Sequence, residues 1–320
     1  MSASTATVPG SLFHKTSTRR KVKNHLASVL ITLSFLVALV PLFWLLWTVL
    51  SKGLSPILKS SWWTETQRSK TYSDPGGGAL HAIVGTLEQV VLCSVISVPL
   101  AILVGVYLVE YGRGPFARIT TFMVDILTGI PSIVAALFVY ALFVSTFHGQ
   151  RAGWLISLAL VILMVPVVVR TTEEMLKLVP NELREASYAL GVPKWKTIAR
   201  IVLPTAFTGL VTGVVLGIAR VAGETAPLLI LVGYSGEMNT NLFGGFQGSL
   251  PGMINDQFTN LNQVSGSSAY HLDANGNRVA GAVANYAPDR MWATALTLIL
   301  IVLLLNLIAR LFGRFNKVSG

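Results

Sequence analysis

Six long apolar segments, separated by short polar stretches, dominate the sequence. They run approximately from Leu26 to Leu50, Leu80 to Val109, Ile119 to Phe147, Gly153 to Val169, Thr205 to Val232 and Met291 to Gly313. Each segment is close to or above the roughly 17 to 25 residues that an α-helix needs to cross a bilayer. The pattern therefore predicts an all-α polytopic membrane protein with six transmembrane helices.

The composition supports this assignment. Of the 320 residues, 52% are hydrophobic and only 12% are charged, and the mean hydropathy is +0.64. An average soluble domain carries roughly 25% charged residues. The first apolar segment follows a basic stretch, as in a signal peptide, but it is long and no small-residue cleavage site closes it. We therefore expect it to remain as a membrane anchor.

The positions of the basic residues predict the orientation in the membrane. With both termini in the cytoplasm, sixteen Lys and Arg side chains lie inside, seven lie outside, and Arg220 lies within a span. The positive-inside rule favours this arrangement over its reverse. The net charge of +10 thus follows from topology. A nucleic-acid partner is not expected, because the cations are not gathered on one surface with aromatic platforms.

The same pattern divides the chain into three regions. Residues 1–25 form a basic cytoplasmic tail with a Ser- and Thr-rich start, and we expect this tail to be disordered. Residues 26–313 form a transmembrane domain, and residues 314–320 form a second cytoplasmic tail. The domain includes a cytoplasmic loop, 171–204, and a long extracytoplasmic loop, 233–290. A loop as long as the second one is usually functional or disordered, so we expect a solute-binding protein to dock there.

The cytoplasmic loop has a compact amphipathic pattern. Asn181 is predicted to cap a short helix from Glu182 to Leu190, which Gly191 ends, and Pro193 starts a second helix. The basic residues of this region are Arg170, Lys177, Arg184, Lys194, Lys196 and Arg200. Two short helices that meet at a glycine are suited to docking into a groove of another protein. The alternative is an ordinary basic loop.

The spacing in this loop resembles the coupling motif of ABC-importer permeases. The run from Glu185 to Pro204 matches E-A-A-x3-G-x9-I-x-L-P except at Ser187, where the family has a second alanine. Because serine is also small, close packing against an ATPase should survive, with a slightly more polar docking surface. The resemblance implies that the residues coupling this chain to an ATPase are Glu182, Glu185, Ala186, Ser187, Gly191, Pro193 and Pro204.

Motifs for nucleotide binding or hydrolysis do not occur in the sequence. It contains no G-x-x-x-x-G-K-[ST], no H-E-x-x-H and no G-x-S-x-G. The five histidines are scattered and the single Cys93 lies inside an apolar segment, so neither a metal site nor a catalytic residue is predicted. In the ABC-importer interpretation this chain binds no cofactor, and ATP and Mg²⁺ are used by a partner ATPase.

The fifth apolar segment contains two opposite charges. Arg220 and Glu224 lie four residues apart, so they share one face of a continuous helix. An unpaired charge inside the bilayer costs on the order of 2.5 to 3.5 kcal/mol by insertion scales, so such residues pair or line a cavity. One interpretation is an Arg220–Glu224 ion pair that fixes helix packing. The other is a substrate path, in which Arg220 donates to an oxyanion while Glu224 and Thr225 assist.

Glycine and proline occur together in two of the segments. Gly129 and Pro131 loosen the third segment, and Gly223 and Pro227 the fifth, where Pro227 leaves the carbonyl of Gly223 free. Each pair can serve as a hinge for alternating access. For the third segment, close helix packing is the favoured interpretation.

The Gly223-Glu-Thr-Ala-Pro227 run resembles the corresponding helix of phosphate-specific ABC permeases, and Gly129-Ile-Pro-Ser-Ile133 resembles a second marker of that family. The continuation Ala-Pro-Leu-Leu is similar to the PstA type. The resemblance implies the type I ABC-importer fold and import of inorganic phosphate across a bacterial plasma (inner) membrane. The implied partners are a PstC-type permease, two PstB-type ATPases and a PstS-type phosphate-binding protein.

Two alternatives stay open at this point. One is a permease for another oxyanion, such as sulfate or molybdate. The other is a membrane enzyme that holds a phospholipid head group with Arg220 and Glu224, although the sequence offers it no nucleophile or metal cluster. Two further acidic residues need an explanation: Asp125 is predicted to be interfacial, and Glu88 faces a subunit contact, a polar cavity or Arg220.

Overall fold

The computed structural model describes residues 17–261, 270–272, 278–280 and 285–315. Its helices are α1 Thr18–Ile57, α2 Ser60–Thr64, α3 Leu80–Val106, α4 Gly114–Gly129, α5 Ser132–Val139, α6 Gly153–Lys177, α7 Asn181–Ala189, α8 Lys194–Thr197, α9 Leu203–Ala222, α10 Ala226–Leu231, α11 Leu250–Thr259 and α12 Ala287–Phe315. The π-helical segments that extend α3, α5 and α8 are Tyr107–Tyr111, Tyr140–Thr146 and Ile198–Val202. The short strands β1, Tyr270–Leu272, and β2, Arg278–Ala280, pair antiparallel with Tyr270 opposite Ala280.

Every predicted apolar segment lies on helices, but the third is sharply bent. Within the described ranges, five helices are long and apolar enough to cross a membrane, and six when α4 and α5 with its π-helical extension count as one span. These two parts are bent by 105°. Pro131 precedes α5, and a side chain placed on Gly129 would meet nothing within 4 Å. No packing neighbour of Gly129 lies within the described residues, and the glycine and proline interrupt the helix.

Helical structure extends into regions that were predicted as tails or loops. Helix α1 begins at Thr18, so the expected disordered tail is wrong from that residue on, and residues 1–16 lie outside the described part of the chain. Lysine and arginine are good helix formers, so the basic stretch does not stop the helix. Helix α6 continues to Lys177 and a new helical run begins at Lys194, both inside the predicted loop 171–204.

The chain divides into two compact units, residues 1–48 and residues 49–320. In the described part of the first unit, nearly every side chain of α1 is exposed. An apolar helix of this kind needs lipid or another membrane protein around it.

Helix α6 lies at the centre of the second unit, where it packs against α3, α5 and α9. Its core side chains include Leu155, Ile156 and Met164, which are fully buried. Helix α9 approaches α6 closely through glycine, since a Cβ on Gly213 would lie 2.5 Å from Oγ1 of Thr171. In a membrane, helix association lacks the hydrophobic driving force that acts in water, and small residues allow the close van der Waals packing that takes its place.

Candidate functional site: substrate path and coupling segment

Helix α9 ends just after Arg220, and the chain runs without α-helix from Gly223 to Thr225. At this end, the last backbone amides donate to the carbonyl three residues earlier, as Glu224 N does to Val221 O at 3.2 Å. Pro227 has no N–H with which to continue the ladder to Gly223, and its ring would clash there. The predicted continuous helix is therefore wrong, and Arg220 and Glu224 do not share a helical face.

The charged side chains at this interruption have no partner among the described residues. Arg220 is exposed, and Glu224 and Thr225 are half-buried. Within the described residues, no hydrogen bond or ion pair involves the side chain of Arg220 or Glu224. The interpretation of this pair as a packing ion pair is thus wrong for the part of the chain that the structure describes. The donors of the Arg220 guanidinium remain available.

Two cavities open beside the interruption, on the side of α9 that faces α12. The larger, about 720 Å³, is lined by Ala219, Gly223, Leu298, Ile299, Val302, Leu303, Asn306 and Leu307. The smaller, about 270 Å³, is lined by Gly223, Thr225, Pro251, Ile254, Asn255, Phe258 and Leu298. Gly223 borders both, so the non-helical backbone lies where membrane proteins tolerate it, against a cavity.

The helices that follow the two interruptions pack against each other. Helix α10 contacts α5, and the buried Ala136, Val139, Leu228 and Leu231 belong to one hydrophobic core. The third and fifth spans are therefore joined beyond their breaks. The sequence showed both breaks separately but no signal that their distal halves meet.

Glu88 on α3 contacts residues 234–250, which we call the outer segment, and forms no hydrogen bond or ion pair with Arg220 within the described residues. Its carboxylate accepts a hydrogen bond from Nε2 of Gln247, whose Oε1 accepts from Nε2 of Gln89 at 2.9 Å. Gln247 and Gln89 are 1% and 2% exposed. Sequence reasoning missed both amides, because residues 158 positions apart carry no shared spacing pattern.

More polar contacts fix the outer end of α3. Nε2 of His81 lies 2.8 Å from the hydroxyl of Tyr234, and Oγ1 of Thr86 accepts from the amide of Leu250 at 2.8 Å. Burial raises the pKa of Tyr234, so this phenol stays protonated. Together with Gln89 and Gln247, these contacts hold the outer segment onto α3.

Asp125 forms an ion pair with Arg170 of α6, although its side chain is 59% exposed. Arg170 also bonds Glu173 at 3.0 Å, one turn further along α6. The pair joins the first half of the bent third span to the central helix. This partner lies in another span, which is why no intrahelical spacing revealed it.

The coupling segment, residues 178–202, contains the two predicted short helices. Helix α7 starts at Asn181 after Pro180, and the Asn181 side chain accepts a hydrogen bond from Arg184 at 3.3 Å. The predicted Asn181 cap is therefore wrong, because this oxygen is already engaged and proline fixes the entry. Gly191 has φ +74°, the left-handed conformation that ends a helix cheaply only at glycine. Helix α8 follows directly after Pro193.

Ser187 does not lie on the docking surface. It is 3% exposed, and its hydroxyl lies 2.8 Å from the hydroxyl of Thr197. The expectation of a more polar docking surface is thus wrong. The serine instead joins α7 to the start of the next helical run.

Several exposed side chains of the coupling segment are large and apolar. Leu190 is 83% exposed and Trp195 66% exposed, with Leu183 and Tyr188 nearby in sequence and also exposed. The remaining predicted coupling residues, all exposed, are Glu182, Glu185, Ala186, Gly191, Pro193 and Pro204. Exposed large apolar side chains interspersed with polar ones are typical of a protein-binding surface.

Residues 97–317 match the family model described as "Binding-protein-dependent transport system inner membrane component". The chain belongs to this family. It is therefore a multi-pass transport permease of the inner membrane. As a component of an ABC importer, it works with an ATPase and a binding protein.

Named relatives place the chain within this family. It is 49% identical to the phosphate transport system permease protein PstA 1 of Mycobacterium tuberculosis (strain CDC 1551 / Oshkosh), over 93% of this chain and 91% of that one. It is 49% identical to PstA of Mycobacterium leprae (strain TN) and 40% identical to PstA of Pasteurella multocida (strain Pm70), over 92% of this chain in each case and 90% and 95% of those proteins. The predicted PstA type is confirmed.

Solved structures support the fold. The inward-facing MetNI methionine ABC transporter is similar with a TM-score of 0.53 at 17% identity, over 74% of this chain and 96% of that one. An amino acid ABC transporter crystallised with histidines gives 0.51 at 14% identity, over 73% and 91%. At such identities the likeness concerns the fold alone, and it confirms the type I ABC-importer architecture.

Proposed function

We propose that this chain is the PstA-type subunit of an ATP-driven importer and that it moves inorganic phosphate into the bacterial cytoplasm by alternating access. The main supporting observation is Arg220 at the break of the fifth span, which is exposed and has no side-chain partner within the described residues, in a chain 49% identical to phosphate permeases. A guanidinium matches the geometry of a tetrahedral oxyanion better than an ammonium does. Sulfate and molybdate share this chemistry, and the names of the relatives favour phosphate.

Three residues divide the work in the path. Arg220 donates to the phosphate oxygens. Glu224 accepts a hydrogen bond from a protonated phosphate. Thr225 adds a hydroxyl at the wall of the smaller cavity. Since the backbone between them is not helical, small rotations there change the position of Arg220 without breaking a helical ladder.

The two interruptions act as hinges. Gly129 and Pro131 lie at the first, and Gly223 and Pro227 at the second. Because α5 and α10 pack together, bending at one hinge moves the segment beyond the other. Discrete rearrangement of packed helices about such residues is a common route of domain movement.

The coupling segment docks on the ATPase. Its apolar side chains, above all Leu190 and Trp195, enter a groove of the partner, and Gly191 sets the angle between the helices. Glu182, Glu185 and Ala186 line the contact, while Ser187 holds the two helices together. Pro193 and Pro204 lie where the next helices begin. ATP and Mg²⁺ are bound and used by two PstB-type subunits, and this chain binds no cofactor.

The membrane arrangement follows from charge. The transmembrane domain spans residues 26–313. The cytoplasmic side holds both termini, with the tails 1–25 and 314–320, and the loop 171–204, while the loop 233–290 lies outside. A PstC-type permease completes the path as the second half of a heterodimer. A PstS-type protein delivers phosphate from outside.

Reconstitution of the complete complex tests this function. Liposomes containing this chain with its PstC-, PstB- and PstS-type partners should accumulate phosphate when ATP is supplied to the ATPases and not without it. Excess sulfate or molybdate should leave the uptake unchanged. Equal competition by sulfate or molybdate would show that the substrate is another oxyanion. ATP hydrolysis without phosphate uptake by the assembled complex would contradict the proposal.

A further inference from the structure

Both helices of the coupling segment contact one residue at the inner end of α3. Arg184 of α7 pairs with the carboxylate of Glu110, with Nη2 and Nε at 2.9 and 3.0 Å from Oε1. Lys194 of α8 donates to the backbone carbonyl of Glu110, and its Nζ lies 4.6 Å from the ring centroid of Tyr111. Glu110 is therefore the point at which the coupling segment is fastened to the second span.

The pair is shielded from water. The Glu110 side chain is 5% exposed and that of Arg184 13%. A shielded pair is screened little by salt and is costly to pull apart. Arg184 also donates to the carbonyls of Val179 at 2.6 Å and Leu176 at 2.9 Å. The guanidinium is thus rigidly held, so a movement of α7 carries Glu110 with it.

Helix α3 connects this point with the outer segment. With its π-helical end it runs from Leu80 to Tyr111, 32 residues, which is about 48 Å at 1.5 Å per residue. At the far end, the buried His81, Thr86 and Gln89 hold the outer segment. One helix therefore contacts the coupling segment at one end and the outer segment at the other.

We infer that the Glu110–Arg184 ion pair transmits the displacement of the coupling segment into α3 and through it to the outer segment. The inference rests on the proposed function as an ATP-driven permease. Glu110 and Arg184 touch no substrate in this scheme and are positioning residues. Glu110 lies in the π-helical end of α3, and such wide turns are frequent at functional sites.

The ratio of phosphate transported to ATP hydrolysed tests the link. In the reconstituted complete complex, Glu110→Ala should lower this ratio about tenfold, the change expected for loss of a charge-assisted hydrogen bond, while ATP hydrolysis stays within about twofold. Glu110→Gln keeps an oxygen that accepts a hydrogen bond from Arg184, so its ratio should lie between those of the unchanged complex and Glu110→Ala. The matched control is Glu174→Ala, because Glu174 is exposed and has no side-chain partner within the described residues. Its ratio should not change.

Labelling of the outer segment gives a second readout. Met238 lies in this segment and is 44% exposed, and the natural Cys93 is buried. In a Met238→Cys complex, ATP should change the rate of labelling by an impermeant thiol reagent, and Glu110→Ala should abolish that change. If Glu110→Ala does not assemble, Glu110→Gln, which keeps the side-chain shape, should reduce the change and serves instead.

Two other outcomes would contradict transmission through the Glu110–Arg184 pair. An unchanged ratio, or ATP-dependent labelling that persists in the variants, would show that α3 moves without the pair. A parallel fall of uptake and hydrolysis would place Glu110 in ATPase docking and not in transmission. The proposed function is judged separately, by phosphate uptake of the unchanged complex in the same vesicles.

Discussion

Two arginines near the ends of transmembrane helices have opposite surroundings. Arg290, at the start of α12, is 3% exposed and donates to the carbonyls of Thr71 at 2.8 Å, Gly76 at 3.1 Å and Asp74. Arg220, at the end of α9, is exposed and has no side-chain partner in the described residues. A guanidinium that donates from all three of its nitrogens to backbone carbonyls holds a structure. One whose donors are free can bind an anion.

This difference explains why only one of them belongs to the proposed path. A buried charge without partners is very costly, so the outer turn that contains Thr71 to Gly76 and Arg290 depend on each other. The cost of leaving Arg220 unpaired is low only where water or a ligand reaches it. The comparison leads to three predictions, which concern first the buried arginine, then the free one, then the turn.

Arg290→Ala should produce the largest effect, a loss of stability. It removes the charged hydrogen bonds of a buried guanidinium to three carbonyls of the outer turn, at a cost on the order of 3 kcal/mol. Thermal unfolding of the purified complex measures this. The matched control is Arg68→Ala, since Arg68 is 75% exposed in its ion pair with Glu237 and should change stability by less than about 1 kcal/mol. Equal unfolding temperatures for both variants would show that Arg290 has no structural role.

Arg220→Ala should leave stability and assembly unchanged but lower phosphate uptake. The loss of charged hydrogen bonds to the anion should reduce uptake by about tenfold or more. Arg220→Lys should retain part of the uptake, because an ammonium keeps the charge without the planar fork. Uptake in liposomes measures this, after insertion and assembly have been checked. Normal uptake in both variants would exclude Arg220 from the path.

The smallest effect should come from Asp74, whose side chain holds the turn that Arg290 binds. Its carboxylate accepts from the amide and the hydroxyl of Thr71, both at 2.7 Å, and these bonds lower the pKa of Asp74 below 3.8. A carboxylate whose pKa is lower in the folded state stabilises the protein at pH values above its ordinary, unfolded-state pKa. This stabilisation is lost as the pH falls through the folded-state pKa. Stability should therefore decrease as the pH drops below 3.8.

Asp74→Asn should remove part of this pH dependence, and Glu65→Gln, a change of an exposed carboxylate elsewhere, should not. The melting temperature of the complex as a function of pH measures both. An identical acid dependence of Asp74→Asn and unchanged protein would show that the turn does not depend on this carboxylate.

Several features of the site were within reach of the sequence. The break between Arg220 and Glu224 could have been predicted, since Gly223 and Pro227 lie on either side of Glu224 and both end helices. The continuous helix was favoured because the apolar run conceals that signal. Gly191 was predicted correctly, because a left-handed helix end selects glycine whatever the tertiary context. The Ser187 orientation was not predictable, since its partner Thr197 lies on another helix.

The sequence by itself determined the membrane spans, the coupling segment and the family. These depend on local properties: segments long and apolar enough for a bilayer, and short motifs with fixed spacing. Only the tertiary structure decided which polar groups meet. Arg184 and Glu110 lie 74 positions apart, and Arg290 lies 214 positions from Gly76. Such pairs form because buried polar groups must find partners wherever the packing of the helices brings them together.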